Sequence, residues 1–289
     1  MTEPRPSLLA NDDPSSVSTG PQDAAQASAA GRPPRVVMER ICKSYGTIES
    51  LKDASLRLEA GEVLGLVGDN GAGKSTLTKI LAGAEIPDSG QILIDGEKVR
   101  FANPAEARAR QIEMVYQDLA LCNTIDVAGN LFLGREPTRR ILGFDFLDKK
   151  RMHTAANDML QDLGVRVPDT RLRVQNLSGG QRQSIAICRA VSFRPTLLIM
   201  DEPTAALAVA EVEAVLRLIR EVSDTGVSVI LITHRLQDLF VVCDRIMVLY
   251  EGRNVAERPV GETSLEEIVQ LIVGERYARV GGRPQGGRR

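Results

Sequence analysis

Residues 63–84 read VLGLVGDNGAGKSTLTKILAGA. An apolar run of strand length enters a turn crowded with glycine, and apolar residues at helical spacing follow. The turn, GDNGAGKST at 68–76, fits the pattern G-x-x-x-x-G-K-[ST] in the strand-to-helix setting which that pattern requires. Its glycines let the backbone curl with N–H groups pointing inward, and the helix start adds roughly half a positive charge. Gly68, Asp69, Asn70, Gly71, Ala72, Gly73, Lys74, Ser75 and Thr76 are the expected cradle for a chain of phosphates. Lys74 would reach the terminal phosphates and Ser75 would ligate Mg²⁺. Such a motif arises by chance in about one chain in a hundred of this length, so a plain glycine turn is the rival reading of this stretch alone.

Working outward, SGQILIDGEKVRF (89–101) alternates around a DG pair and predicts a hairpin. The section 118–176 is expected to be mostly helical, with no comparable strand. Strand signals return at TLLIM (196–200), VSVILIT (227–233) and RIMVLYEGR (245–253), and helical spacing marks 211–222 and 264–273. Strand–helix alternation with a helical insert implies an α/β fold whose parallel sheet core is interrupted by a helical subdomain. No repeat is visible within the 289 residues. The Ser-, Ala- and Pro-rich residues 1–34 are expected to be a disordered lead. Residues 276–289, with five arginines among glycines, are expected to be a solvated basic tail.

Composition narrows the classes. A formal net charge of −2, aromatics at 3% and no tryptophan argue against nucleic acid as a partner. Four cysteines far apart, with no CxxC pair, suit neither a metal site nor a disulfide framework and point to a reducing compartment. No segment approaches the ~20 apolar residues that span a bilayer, so a cytosolic protein that meets a membrane only through a partner is expected.

Three further stretches carry chemistry. TLLIMDEP (196–203) is an apolar strand tipped by two acids. Asp201 is placed to hold Mg²⁺ through a water, and Glu202 to orient or deprotonate an attacking water; a solvated strand end is the bland alternative. ILITHR (230–235) repeats the design with His234 at the tip, and strand tips on one edge of an open α/β sheet converge on the ligand. His153, in a polar helical stretch, gets the structural reading. LSGGQ (177–181) offers the Ser178 hydroxyl, the Gly179 and Gly180 amides and a helix start as a second anion-binding surface, with Gln181 following. A helical insert separates it from the first cradle. Two copies docked head to tail would let each LSGGQ cover the nucleotide of the other.

Taken in order, KSYG, the phosphate loop, VYQD, LSGGQ, DEP and His234 resemble the nucleotide-binding subunit of ABC transporters over nearly all of 35–275. The resemblance implies a P-loop NTPase core with a mainly parallel sheet, an N-terminal antiparallel β subdomain and a helical subdomain inserted at about 118–190. It implies ATP and Mg²⁺ as cofactors, Tyr45 stacked on adenine, Gln117 beside Mg²⁺ and the attacking water, and His234 on the γ-phosphate. GDNGAGKST, 115–136 and DEPTAAL look like carbohydrate importers of the ribose, xylose and fructose type. The implied partners are a second copy in an ATP-sandwich homodimer, integral membrane permease subunits and, indirectly, a secreted or periplasmic sugar-binding protein. The implied place is the cytoplasmic face of the membrane. A soluble ABC-type ATPase, an importer of a non-sugar molecule and a non-catalytic nucleotide-binding module are the alternatives; a P-loop kinase or GTPase would not need LSGGQ. Two positions depart from the pattern. Ala208 stands where many such subunits carry an aspartate, and Gly129 stands where a better helix former is usual, loosening that helix start by roughly 1 kcal/mol.

Overall fold

β1 (Val36–Tyr45) and β2 (Ile48–Leu58) pair antiparallel. β3 (Val63–Val67), buried at all five positions, runs through the glycine turn into α1 (Lys74–Leu81). β4 (Ser89–Ile94) returns beside β1 and turns at 95–96 into β5 (Glu97–Val99), giving an antiparallel sheet of order β2-β1-β4-β5. The structure, a computed structural model, describes residues 33–141 and 143–280, with side chains as far as residue 273. Most of the lead expected at 1–34, and the end of the tail expected at 276–289, lie outside the described residues.

α2 (Pro104–Ala109) starts with proline at its first position and Asn103 as cap, whose side chain accepts from the Ala105 and Glu106 amides. It leads into β6 (Ile112–Val115). α3 (Val127–Leu131) is capped by Asp126, whose Oδ1 accepts from Gly129 N at 2.6 Å. A Cβ at Gly129 would stand 3.0 Å from that same oxygen, so the small residue suits the cap.

The strand-free expectation for 118–176 fails at the next element. β7 (Thr138–Ile141) and β8 (Phe144–Leu147) form an antiparallel hairpin. All eight of its residues are exposed. Without a buried face, such short strands leave little periodic signal to read.

α4 (Lys149–Asp162), α5 (Gly179–Val191), β9 (Leu197–Asp201) and α6 (Val209–Asp224) follow. Then come β10 (Ser228–Ile232), α7 (Leu236–Val242), β11 (Arg245–Tyr250), β12 (Arg253–Pro259) and α8 (Leu265–Val280). The backbone of α8 runs beyond the helix expected at 264–273 and into the first residues of the expected tail. The second sheet has the order β12-β11-β3-β10-β9-β6, parallel except for β12 at its edge.

Three apolar cores result among the described residues. One fills the space between the antiparallel sheet, α1 and one face of the parallel sheet, around Leu56, Leu77 and Leu66. The second lies on the other face, where Ile187, Leu216 and Ile219 cover Leu198 and Leu231. The third joins α3, α4 and α5 through Leu131, Met152, Ile185 and Cys188. α5 contributes to both the second and the third, so it ties the helical insert to the sheet.

Asn130 anchors the start of that insert. Fully buried, it accepts from Cys122 N at 2.7 Å and donates to the Cys122 and Asp126 carbonyls at 3.0 Å each. Leaving a buried backbone group unpaired costs about 1–3 kcal/mol. Asn130→Ala is therefore expected to lower unfolding free energy by about 2–4 kcal/mol in urea titration; a loss below ~0.5 kcal/mol would show that water replaces the amide.

Candidate nucleotide site

Parallel pairing decides where the chemistry gathers. Leu66 lies opposite Ile232, Ile232 opposite Asp201, and Val115 opposite Met200. The carboxyl ends of β3, β10, β9 and β6 thus share one edge of the sheet, and the loops that leave them carry residues 68–76, His234, Glu202 and Gln117. Such an edge is where open α/β sheets hold ligands.

Residues 68–73 form the turn between β3 and α1, and 74–76 are the first turn of the helix. Gly68 has φ +147°, and a Cβ there would overlap the Leu249 carbonyl oxygen. Gly73, at φ +100°, occupies the left-handed region immediately before α1. Only glycine reaches these backbone angles without strain, and a Cβ at Gly73 would come 2.7 Å from the Ser50 carbonyl oxygen and from Leu51. Lys74 Nζ is folded into the loop, donating to the Gly68 carbonyl at 2.6 Å and the Asp69 carbonyl at 3.0 Å. Burial pulls its pKa below the usual lysine value, opposed by the charges of Glu202 and Asp201. Ser75 is exposed in the first turn of α1, and Thr76 Oγ1 lies 2.7 Å from Ser50 Oγ. Asp69, Asn70, Gly71 and Ala72 line the mouth of a cleft with Tyr250 and Glu251.

Asp201 ends β9 with its pKa raised, first by burial and then by the neighbouring Glu202 charge. Glu202 leaves the strand in the left-handed region, φ +52°, while its N–H still bonds the Ile232 carbonyl at 2.8 Å. That conformation is rare for a side-chain-bearing residue and costs of order 1–2 kcal/mol. Its carboxylate meets His234, with Oε2 2.7 Å from Nδ1. His234 is otherwise exposed, 72% of its side chain open to solvent. The two residues are 32 apart in sequence; only the β9–β10 register brings them together.

Gln117, exposed, lines one cleft with Glu202, Gly179 and Arg182. Tyr45 ends β1 half-exposed, with the Lys43 ammonium 5.4 Å from its ring centroid. Ser178 caps α5: its Oγ accepts from Gln181 N at 3.2 Å, and Gln181 Oε1 accepts from Ser178 N at 3.0 Å. Part of the polar capacity that the sequence assigns to an anion therefore serves this capping box. Neither cleft beside LSGGQ contains a residue of 68–76.

A profile of the ABC transporter family matches residues 51–205, more than half of the chain. The chain belongs to the ABC transporter family. It is 44% identical over 232 residues to the xylose/arabinose import ATP-binding protein of Sulfolobus acidocaldarius, covering 80% of this chain and 91% of that protein. It is 39% identical over 240 residues to the ribose import ATP-binding protein of Chromobacterium violaceum, covering 83% of this chain but 47% of that protein, so it spans about half the length of the ribose relative. Among solved structures, the dimeric post-hydrolysis state of an ATP-binding cassette bound to ADP and Pi superposes with a TM-score of 0.66 at 25% identity, covering 78% of this chain and 98% of that one. The fold is that of an ABC cassette, and nucleotide binding belongs to it.

The cassette also contains positioning residues that motif reading passes over. Arg189, on α5, donates to the Leu119 and Ala120 carbonyls at 2.9 Å each and so fixes the loop that follows Gln117. Thr204 Oγ1 and Asp238 Oδ2, both buried, lie 2.6 Å apart and tie the loop after Glu202 to α7. A charged residue inside ICRAV and a hydroxyl inside DEPTAAL were the available signals. Ala208 begins α6 without a side-chain cap, and Glu211 Oε2 accepts from its N–H at 3.2 Å instead. Among the described residues no helix is long and apolar enough to cross a membrane.

Proposed function

We propose that this chain is the ATP-hydrolysing subunit of an ABC importer for a sugar, working as a homodimer beneath integral membrane permease subunits. The observation that carries the hydrolytic reading is the Glu202–His234 pair, at 2.7 Å, on the sheet edge that also carries the phosphate loop. Sugar as cargo rests on the similarity to the xylose/arabinose and ribose import ATP-binding proteins. A periplasmic or secreted binding protein and a peripheral seat on the cytoplasmic membrane face belong to the same reading.

The donor set fits Mg²⁺ with ATP. Ser75 and Asp201 offer hard oxygens beside Lys74, and a magnesium ion that keeps several waters needs few protein ligands. Mg²⁺ would supply charge neutralisation at the phosphates. Gly68–Thr76 cradle the triphosphate, Lys74 holds its terminal charge, Gln117 and Glu202 orient the attacking water, and His234 steadies Glu202 and the γ-phosphate. Tyr45 offers an aromatic face for adenine. Ser178, Gly179, Gly180 and Gln181 close over the nucleotide of the partner copy, and closure excludes water.

Chains carrying Ser178→Arg mixed with chains carrying Lys74→Ala test the shared site. Each heterodimer keeps one site with an intact loop and an intact LSGGQ. Tag-purified heterodimers are expected to recover a substantial fraction of the ATPase rate that both parent homodimers lack; purified heterodimers as inactive as the parents would refute the arrangement.

A further inference from the structure

The hairpin of β7 and β8 takes no part in the nucleotide site, yet it carries the most exposed aromatic side chain among the described residues. Phe144 is 71% exposed and Phe146 51%, in a chain with six phenylalanines and no tryptophan. Ile141 and Leu147 are exposed as well. None of the hairpin residues described enters the three apolar cores. Asp148 N donates to the Pro137 carbonyl at 2.8 Å and closes the base of the ribbon, and the Asp148 side chain then caps α4. The ribbon is thus held at its root by α4, whose Met152 and Leu160 are buried, while its length lies in solvent.

Register sorts its side chains. Directly opposed residues of an antiparallel pair share a face. Arg139 lies opposite Phe146 and Ile141 opposite Phe144, so one face carries three apolar side chains and a guanidinium. Asp145 lies opposite Arg140, on the other face. The surroundings are basic too. Six basic and three acidic residues stand between 135 and 151, against a formal net charge of −2 for the whole chain. Lys149, Lys150 and Arg151 are exposed at the root.

An acid-free apolar face flanked by cations matches a partner that is anionic at its surface and apolar beneath. A layer of anionic phospholipid has that order: aromatic rings settle at headgroup depth, and basic side chains are drawn to the phosphates. A protein partner suits the hairpin less well. Stable protein interfaces take about 20–30 residues from each side in matched shape. Here a lone two-stranded ribbon presents four side chains on that face.

We propose that the β7–β8 hairpin is a lipid-binding element, setting Ile141, Phe144 and Phe146 into the headgroup layer of an anionic membrane with Arg139 on the phosphates. This goes beyond the importer reading, because the contact is the chain's own and needs neither permease nor sugar.

Co-sedimentation of the full chain with vesicles of phosphatidylcholine, with and without phosphatidylglycerol and free of permease, tests it. Binding to the anionic vesicles is expected, and it should fall as salt rises. The arginines of 276–289 can also attract such vesicles, so changes at the hairpin decide the matter. Phe144→Ser is expected to weaken partitioning about tenfold at every salt concentration. Arg139→Ala is expected to weaken it about fivefold at low salt, with the difference fading at high salt. Val241→Ser, at a similarly exposed valine on α7, is expected to change nothing. The ATPase rate of all three in solution should equal that of the unaltered chain, which verifies their folding. Hairpin variants that bind as tightly as the unaltered chain, or binding that ignores phosphatidylglycerol, overturn the proposal. Capture only by vesicles that contain the permease, lost with Phe144→Ser, would make the permease the occupant; it overturns the lipid contact and leaves the importer reading standing.

Discussion

Glu202→Gln is expected to cut ATP turnover by about 10²–10⁴-fold while ATP affinity stays within about threefold of the unaltered chain. Glutamine has the size of glutamate and can still accept from His234, so the geometry at the end of β9 should survive. What disappears is the charge and the basicity that orient and deprotonate a water. The left-handed backbone at Glu202 strengthens the argument: a conformation this unfavourable persists only where the surroundings fix it, here through the Ile232 carbonyl and the His234 contact. Phosphate release measured beside calorimetric ATP binding separates the two effects. Turnover undiminished in the glutamine chain would remove Glu202 from the reaction.

Much of this site was legible because its parts are local. A strand, a glycine turn and a helix follow one another at 63–84, and acids at a strand tip are visible in TLLIMDEP without knowing any partner. The expectation that 196–203 and 230–235 converge needed only the rule that parallel strands end on one edge, and the Asp201–Ile232 register places them side by side. What stayed illegible depends on contacts distant in sequence. Glu211 packs on Gly180, distant from it in the chain, because α5 and α6 pack together. Arg189 reads as an ordinary helical charge until its guanidinium is seen on the 119 and 120 carbonyls. The hairpin at 138–147 escaped for another reason: it has no buried face, and burial is what imprints a period on a sequence.

Lys74→Ala is expected to weaken ATP binding by about 10–100-fold, the range given by losing one charge-assisted contact of ~1.5–3 kcal/mol. In the free chain the ammonium is held by two loop carbonyls, whose bonds a phosphate would replace or share. Burial already disfavours its charge, and a bound triphosphate restores it. Binding then takes up a fraction of a proton at alkaline pH, and affinity falls as pH climbs through the lowered pKa of the free lysine. Alanine should abolish that alkaline slope along with the affinity. Arginine should not restore either, because its planar fork is too bulky for a loop sized to a single ammonium. Calorimetry across pH reads both quantities, and the thermal shift produced by a fixed ATP concentration should shrink in parallel. An alanine chain that binds ATP as tightly as the unaltered one, with the same pH dependence, would mean that residues 68–76 do not hold the nucleotide.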